Sequence, residues 1–353
     1  MEPSYLFFLS SGLFLGWSLG ANDAANIFGT AVGSKMVRFS TMAIIASIFV
    51  MLGAVFGGAG TSNTLGALGA VNALAGSFMV ALSAALSVYM MLRAGVTVST
   101  SQAIVGAIIG WNLYAGRSTD YETLAEIVVG WAVCPLMSAI IAAVLYIICK
   151  KTLRYSKLHL LMRDQLTRAG LILAAAAGAY ALGSNNIANV VGVFVESCPF
   201  KPLKMGSILT LAPVQVLFML GAAAICVGIA TYSHKVINRF GNNLMKMAPL
   251  EALIVVLAQA VVLLLFASVM LHHWLQAHSI PALPLVPVSS TQAVIGAILG
   301  IGFAKGGRDI NWSIILKVVS GWCIAPLIAM VVCFISLFFL ENVFNLTVYL
   351  PNG

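Results

Sequence analysis

Charge is what this chain has least of. Of 353 residues, 18 are Lys or Arg and 10 are Asp or Glu, 8% in all. A soluble domain carries about a quarter. With 61% apolar residues there is too little polar surface to cover a soluble fold. The chain reads as a polytopic membrane protein with little mass outside the bilayer. The apolar runs are long and do not alternate, which favours helices over a β-barrel. A basic n-region is missing before the first apolar run, MEPSYLFFLSSGLFLGW, so it reads as a retained helix and not a cleaved signal. A CxxC pair is missing too. The six cysteines (134, 149, 198, 226, 323, 333) read as small buried apolar residues. The formal net charge of +8 comes without a basic soluble domain, which sets nucleic acid aside. Neither a catalytic histidine nor an acidic pair with a metal is evident, so an intramembrane phosphotransferase, and an enzyme in general, is disfavoured.

What is present is a series of apolar segments, at roughly 4–21, 39–58, 70–92, 96–115, 122–149, 168–183, 187–198, 205–231, 248–274, 286–304 and 312–341. Segments 96–115 and 286–304 are polar at one end and suit half-helices or re-entrant hairpins. Such breaks survive at membrane depth only where protein or a water-filled cavity satisfies the backbone. The stretch 150–168 carries Lys150, Lys151, Arg154, Lys157, Arg163 and Arg168 against one Asp164. The positive-inside rule places it in the cytoplasm, with Lys235, Arg239 and Lys246 on the same side. His272, His273, Trp274 and His278 follow a span and read as interfacial. Asp120, Glu122, Asp164 and Asp309 fall in or beside polar loops, and Glu2 and Glu341 near the chain ends. Glu126, Glu196 and Glu251 sit at span edges as structural or ion-pairing groups.

The chain also repeats itself. ANDAAN at 21–26 matches SNNIAN at 184–189, and VTVSTSQAIVGAIIG at 96–110 matches VPVSSTQAVIGAILG at 286–300. GWAVCPL at 130–136 matches GWCIAPL at 321–327 in the same order. This predicts a duplication: a first transmembrane repeat over 1–149, a basic linker over 150–168 and a second repeat over 169–353. Transporters are often built so, with substrate held between the halves near the midplane. A channel would need a continuous pore instead.

Asp23 is the acid flanked by spans on either side. Burying a lone carboxylate costs several kcal/mol, so it needs a partner, and a bound hard cation such as sodium is the simplest one. Asn22, Asn26 and Thr30 share a helical face, and Asp23 and Asn26 are adjacent on it. Asn185, Asn186 and Asn189 form the matching row. Interhelical hydrogen bonding explains a single such Asn, but not two matched motifs. Gly12, Gly16 and Gly20 form a small-residue packing face. Ser99, Thr100, Ser101 and Gln102, like Ser289, Ser290, Thr291 and Gln292, each precede an apolar half-helix. Hydroxyls and free N–H groups at a helix start suit an anion, although simple N-capping explains one motif alone. Two such ends facing each other predict one tetrahedral oxyanion held between them, with a cation near Asp23. On this reading, the stretch 19–35 is an unwound helix lining the site.

These residues resemble the inorganic phosphate transporter family. The features that carry the resemblance are GANDAANIFGTAVGS at 20–34, GSNNIAN at 183–189, the VSTSQ and VSSTQ hairpins and the GW…PL segments, and it spans essentially the whole chain. It implies an all-α membrane fold of two inverted-topology repeats with broken helices and re-entrant hairpins, about 10 to 12 membrane segments, and a homodimer. It implies symport of phosphate with sodium or protons, no other cofactor, and a bacterial or archaeal inner membrane. Asn22, Asn26, Asn185, Asn189 and the hairpin residues 99–102 and 289–292 would bind substrate, and Asp23, Asn26, Asn186 and Asn189 the cation. The family usually has aspartate at the position of Asn186 and histidine at those of Gln102 and Gln292, and some members have a large central loop that is short here. An amide at 186 is a poorer acceptor for the P–OH of phosphate. A sulfate permease of the same family therefore stays open as the alternative.

Overall fold

A computed structural model describes residues 3–33, 35–69, 71–155, 159–205, 209–240, 247–307 and 310–350. Glu2, Lys157, Lys246 and Asp309 lie outside the described residues, as do the side chains of Thr30 and Arg239. Thirteen α-helices are described: α1 (Pro3–Gly33), α2 (Phe39–Gly57), α3 (Ala59–Leu68), α4 (Leu74–Arg93), α5 (Thr100–Ala115), α6 (Tyr121–Tyr155), α7 (Leu160–Val191), α8 (Pro213–Thr231), α9 (Ser233–Phe240), α10 (Pro249–Ala267), α11 (Val269–Ala277), α12 (Ser290–Ala304) and α13 (Trp312–Asn342). A small antiparallel hairpin, β1 (Leu203–Met205) and β2 (Leu209–Leu211), precedes α8, with Leu203 opposite Leu211.

Seven of these helices, α2, α4, α6, α7, α8, α10 and α13, are long and apolar enough to cross a bilayer. α1 has 31 residues, about 46 Å at 1.5 Å per residue, which is ample against a hydrocarbon core of about 30 Å. α5 and α12 have 16 and 15 residues, about 23 Å each, and are too short to cross alone. Each follows a segment without regular secondary structure, 96–99 or 280–289, that ends in an extended residue, Ser99 or Ser289. α1, α5 and α12 are thus further apolar segments beside the seven candidate spans.

Several sequence expectations need correction. The polar stretch after Leu19 is not unwound, because α1 is helical through Gly33. Segments 168–183 and 187–198 are not separate, because α7 runs unbroken from Leu160 to Val191. The reason is the same in both. The asparagines turn their side chains, not freed backbone, toward the interior, so the backbone keeps its own ladder. The breaks fall at the hairpins, where the chain is extended. The stretch 150–168 is also more helical than a linker, since α6 reaches Tyr155 and α7 starts at Leu160.

Matched segments make matched packings, two sets across the halves and one within each. α2 packs on α7 and α8 on α1; α10 packs on α7 and α4 on α1; α6 packs on α12 and α13 on α5. The halves therefore interleave. Glycines set the closest approaches. A Cβ at Gly106 or Gly110 of α5 would strike the carbonyls of Pro326 or Met330 in α13. A Cβ at Gly296 or Gly300 of α12 would strike those of Pro135 or Ala139 in α6. Gly130 and Gly321 of the GW pairs make room for Val286 and Val288, and for Val96 and Val98, in the extended segments. The GW…PL motifs are thus docking surfaces for the opposite hairpin. The Gly12, Gly16 and Gly20 face meets Val190 of α7 and Ala224 and Ile225 of α8.

Burial sorts the spans. Two thirds of the α10 spanning window is buried (67%) against 22% for α6 and 28% for α13, which places α6 and α13 at the rim. Their outward Leu136, Ile140, Leu316, Leu327 and Phe338 suit lipid. Pro213 and Pro249 open α8 and α10 at the position where no intrahelical donor is needed. Asp120 caps α6, accepting from the Glu122 and Thr123 amides and the Thr123 hydroxyl, and these bonds hold its carboxyl below the usual range. All six cysteines are free, but only Cys134 and Cys333 are buried, and Cys323 is exposed. His272 holds the carbonyl of Leu283 through Nδ1 at 2.8 Å. Glu251 pairs with Lys305 at 3.2 Å.

Candidate functional site

Four elements meet in one buried polar layer: the middle of α1, the last turns of α7, and the starts of α5 and α12. Asn22, Asp23, Asn185, Asn186, Asn189, residues 99–102 and residues 289–292 are all buried there, and Asn26 is half-buried. Every candidate with a described side chain is therefore in the same layer.

The bonds follow a two-fold pattern. Each amide row first braces the extended segment of its own half. Asn22 Nδ2 donates to the Val98 carbonyl at 2.9 Å. Asn185 accepts from the Val288 amide at 3.0 Å and donates to the Val286 carbonyl at 3.4 Å. Each row then reaches the hydroxyls of the other half. Asn26 Nδ2 donates to Thr291 Oγ1 at 3.1 Å and to Ser290 Oγ at 3.3 Å. Asn189 Nδ2 donates to Ser101 Oγ at 2.9 Å. The hydroxyls close the circuit, because Ser101 bonds the Val288 carbonyl at 3.2 Å and Thr291 the Val98 carbonyl at 3.4 Å. Matched residues thus reach matched segments, although Asn22 bonds the Val98 carbonyl where Asn185 bonds the Val288 amide and the Val286 carbonyl.

One matched pair differs in charge. Asp23 accepts from Asn22 Nδ2 at 2.6 Å and also meets the Ser290 hydroxyl. Its counterpart Asn186 accepts through Oδ1 from Ser101 at 3.2 Å and from Asn189 at 2.9 Å. One position carries a carboxylate and the other a neutral amide.

Ser99 and Ser289 are N-caps, and their hydroxyls accept from the amides of Gln102 and Gln292 at 3.2 and 3.3 Å. That leaves the amides of residues 100, 101, 290 and 291 at the two helix starts, where the helix dipole is positive. Several buried side-chain atoms have no protein partner: Asn22 Oδ1, Asn189 Oδ1, Thr100 Oγ1, Gln102 Oε1, Gln292 Oε1 and Asn186 Nδ2. A buried polar atom without a partner costs about 1–3 kcal/mol, so a layer with this many is built for something else to bind. The oxygens suit a hard cation, and the hydroxyls, amide N–H groups and helix starts suit an oxyanion. None of the side chains named in the layer is basic. Among the described residues no three His, Cys, Asp or Glu side chains gather, so the donor set is not that of a transition metal.

Sequence reasoning missed the backbone of 286–288 and of Val98 as bonding partners. The V-x-V pattern before each serine run was the available signal. It also missed Gln259 of α10, fully buried with neither amide atom paired. Nothing in its apolar surroundings marked it. Removing both cross-half hydroxyls, Ser101→Ala with Thr291→Val, is expected to weaken half-saturation by oxyanion about ten- to a hundredfold, since each lost bond is worth about 1 kcal/mol. Concentration dependence of uptake checks this, and an unchanged half-saturation would refute it.

A model of the "Phosphate transporter family" matches residues 19–332 and 283–350. A "Putative phosphate permease" of Methanocaldococcus jannaschii is 27% identical over 322 residues, 91% of this chain and 93% of that protein. One of the same description from Thermococcus kodakarensis is 24% identical, over 95% of this chain and 97% of its own. Among solved structures, "The sodium-dependent phosphate transporter" superposes with a TM-score of 0.77 at 19% identity, over 96% of this chain and 99% of that one, and so shares the fold. The helical architecture with seven candidate membrane spans and the match from residue 19 onward lead to one conclusion: this chain is a member of the phosphate transporter family.

Proposed function

We propose that the chain imports inorganic phosphate in symport with sodium or protons, by alternating access about the buried layer. The observation that carries this reading is the two-fold circuit of bonds linking α1, α5, α7 and α12 around unpaired oxygens and helix starts. The two helix starts and the hydroxyls of Thr100, Ser101, Ser290 and Thr291 hold the oxyanion, and Asp23 with the amide oxygens holds the cation. Each half contributes five membrane segments. An odd number sets the second half upside down relative to the first, so rearranging the interleaved elements about the layer opens it to either side in turn. The "sodium-dependent" neighbour makes sodium the first ion to test.

The test is uptake into proteoliposomes of labelled phosphate and labelled sulfate, each under an imposed sodium or proton gradient. Saturable phosphate uptake that collapses with the gradient is the expected result. Sulfate uptake with phosphate a poor competitor would overturn the substrate. Uptake indifferent to both gradients would overturn the coupling.

A further inference from the structure

Asp23 and Asn186 occupy equivalent places in the two matched motifs, and they are the one matched pair among the layer's named residues that differs in charge. We propose that this asymmetry fixes the coupling ratio: one monovalent cation moves with one singly charged oxyanion, no net charge crosses, and Asn186 is the residue that sets the ratio. The inference rests on the transport reading above.

The argument is charge balance in a buried layer. Unbalanced charge away from water is costly, so the substrate-loaded form must be near neutral to change access. Asp23 contributes one negative charge. The two helix starts contribute about half a positive charge each, which offsets it when the layer is empty. A singly charged oxyanion adds one negative charge, and one cation restores neutrality. With a singly charged anion a second cation would leave a whole charge unpaired, and a doubly charged anion would need two cations. No other group disturbs this count. The other buried acid among the described residues, Glu251, has its own cation in Lys305 at 3.2 Å. The layer's remaining named side chains are amides and hydroxyls.

Asn186 is poised to change the count. Its Oδ1 already accepts two hydrogen bonds, from Ser101 and Asn189, while its Nδ2 has no protein partner. Asn186→Asp keeps both accepted bonds and puts an oxygen where the unpaired nitrogen was. It adds a negative charge mirroring Asp23, and a second cation becomes the neutral solution.

The experiment counts charge per phosphate. The full-length protein is reconstituted into vesicles with labelled phosphate and labelled sodium, and an inside-negative potential is imposed with potassium and valinomycin. The same measurement uses an entrapped pH dye if protons drive uptake. In the unmodified protein, one cation should enter per phosphate, and the potential should leave accumulation unchanged. In Asn186→Asp, two cations should enter, and about 100 mV should raise the accumulation limit roughly fifty-fold. Two cations per phosphate, or voltage-driven accumulation, in the unmodified protein would overturn the proposal while leaving phosphate symport intact. An active Asn186→Asp that still moves one cation would remove Asn186 as the determinant. Absence of any coupled anion uptake would instead strike the transport reading itself. If the variant does not fold, the unmodified protein's charge count alone decides whether the one-to-one ratio stands.

Discussion

Asp23→Ala is expected to lower gradient-driven phosphate uptake at least about a hundredfold. Removing one partner of a buried charge pair costs about 3–5 kcal/mol, and each 1.4 kcal/mol is tenfold. Asp23 is 3% exposed, so water cannot replace the lost carboxylate. Asp23→Asn separates charge from shape, because an amide oxygen can still accept from Asn22 Nδ2 as the carboxylate does now. It should be lost for cation-coupled uptake like the alanine variant, while its thermal stability in detergent stays at or above that of the unmodified protein. Wild-type uptake by either variant would end the case for a cation at Asp23.

The second large effect is expected at the hairpins. Gly296→Val should abolish transport and lower the melting temperature in detergent, and Gly106→Val should do the same from the other side. Each added side chain would strike the backbone carbonyl of a proline in the opposite half, Pro135 or Pro326, and backbone cannot swing aside as a side-chain tip can. Overpacking of this kind costs about 1–3 kcal/mol or more. Gly178→Ala is the control. Its Cβ would meet Ile27 and Val256 at an ordinary 3.5 Å, so it should transport normally. A functional Gly296→Val would mean that the hairpin does not need its close seat on α6.

How far the sequence foretold these features depends on what each residue's role requires. The site was legible because duplication wrote it twice: ANDAAN and SNNIAN, VSTSQ and VSSTQ, fall in one layer in the structure. The half-helices were legible because they are too short to span and polar at one end. The continuity of α1 was not. Asn22, Asp23 and Asn26 look like helix breakers in lipid. Their partners, Val98 and Thr291, lie far along the chain, and no local pattern reveals them. The same holds for Asn185. Its amide looked like a ligand group, yet both its polar atoms are used on the backbone of 286–288. Interleaving of the halves was invisible for a related reason. A glycine records that something comes close, but not which helix it is.

That interleaving bears on how the chain is made. Gly106 leaves the ribosome long before Pro326, the residue it must touch, more than two hundred positions later. At roughly 5–20 residues per second, the first hairpin waits on the order of ten to forty seconds for its partner. Through that interval Ser101 and Gln102 have neither Val288 nor α13 to shield them from lipid. Biogenesis must therefore hold the first half unfinished, and two separately expressed halves would each emerge without the surfaces that seat their hairpins.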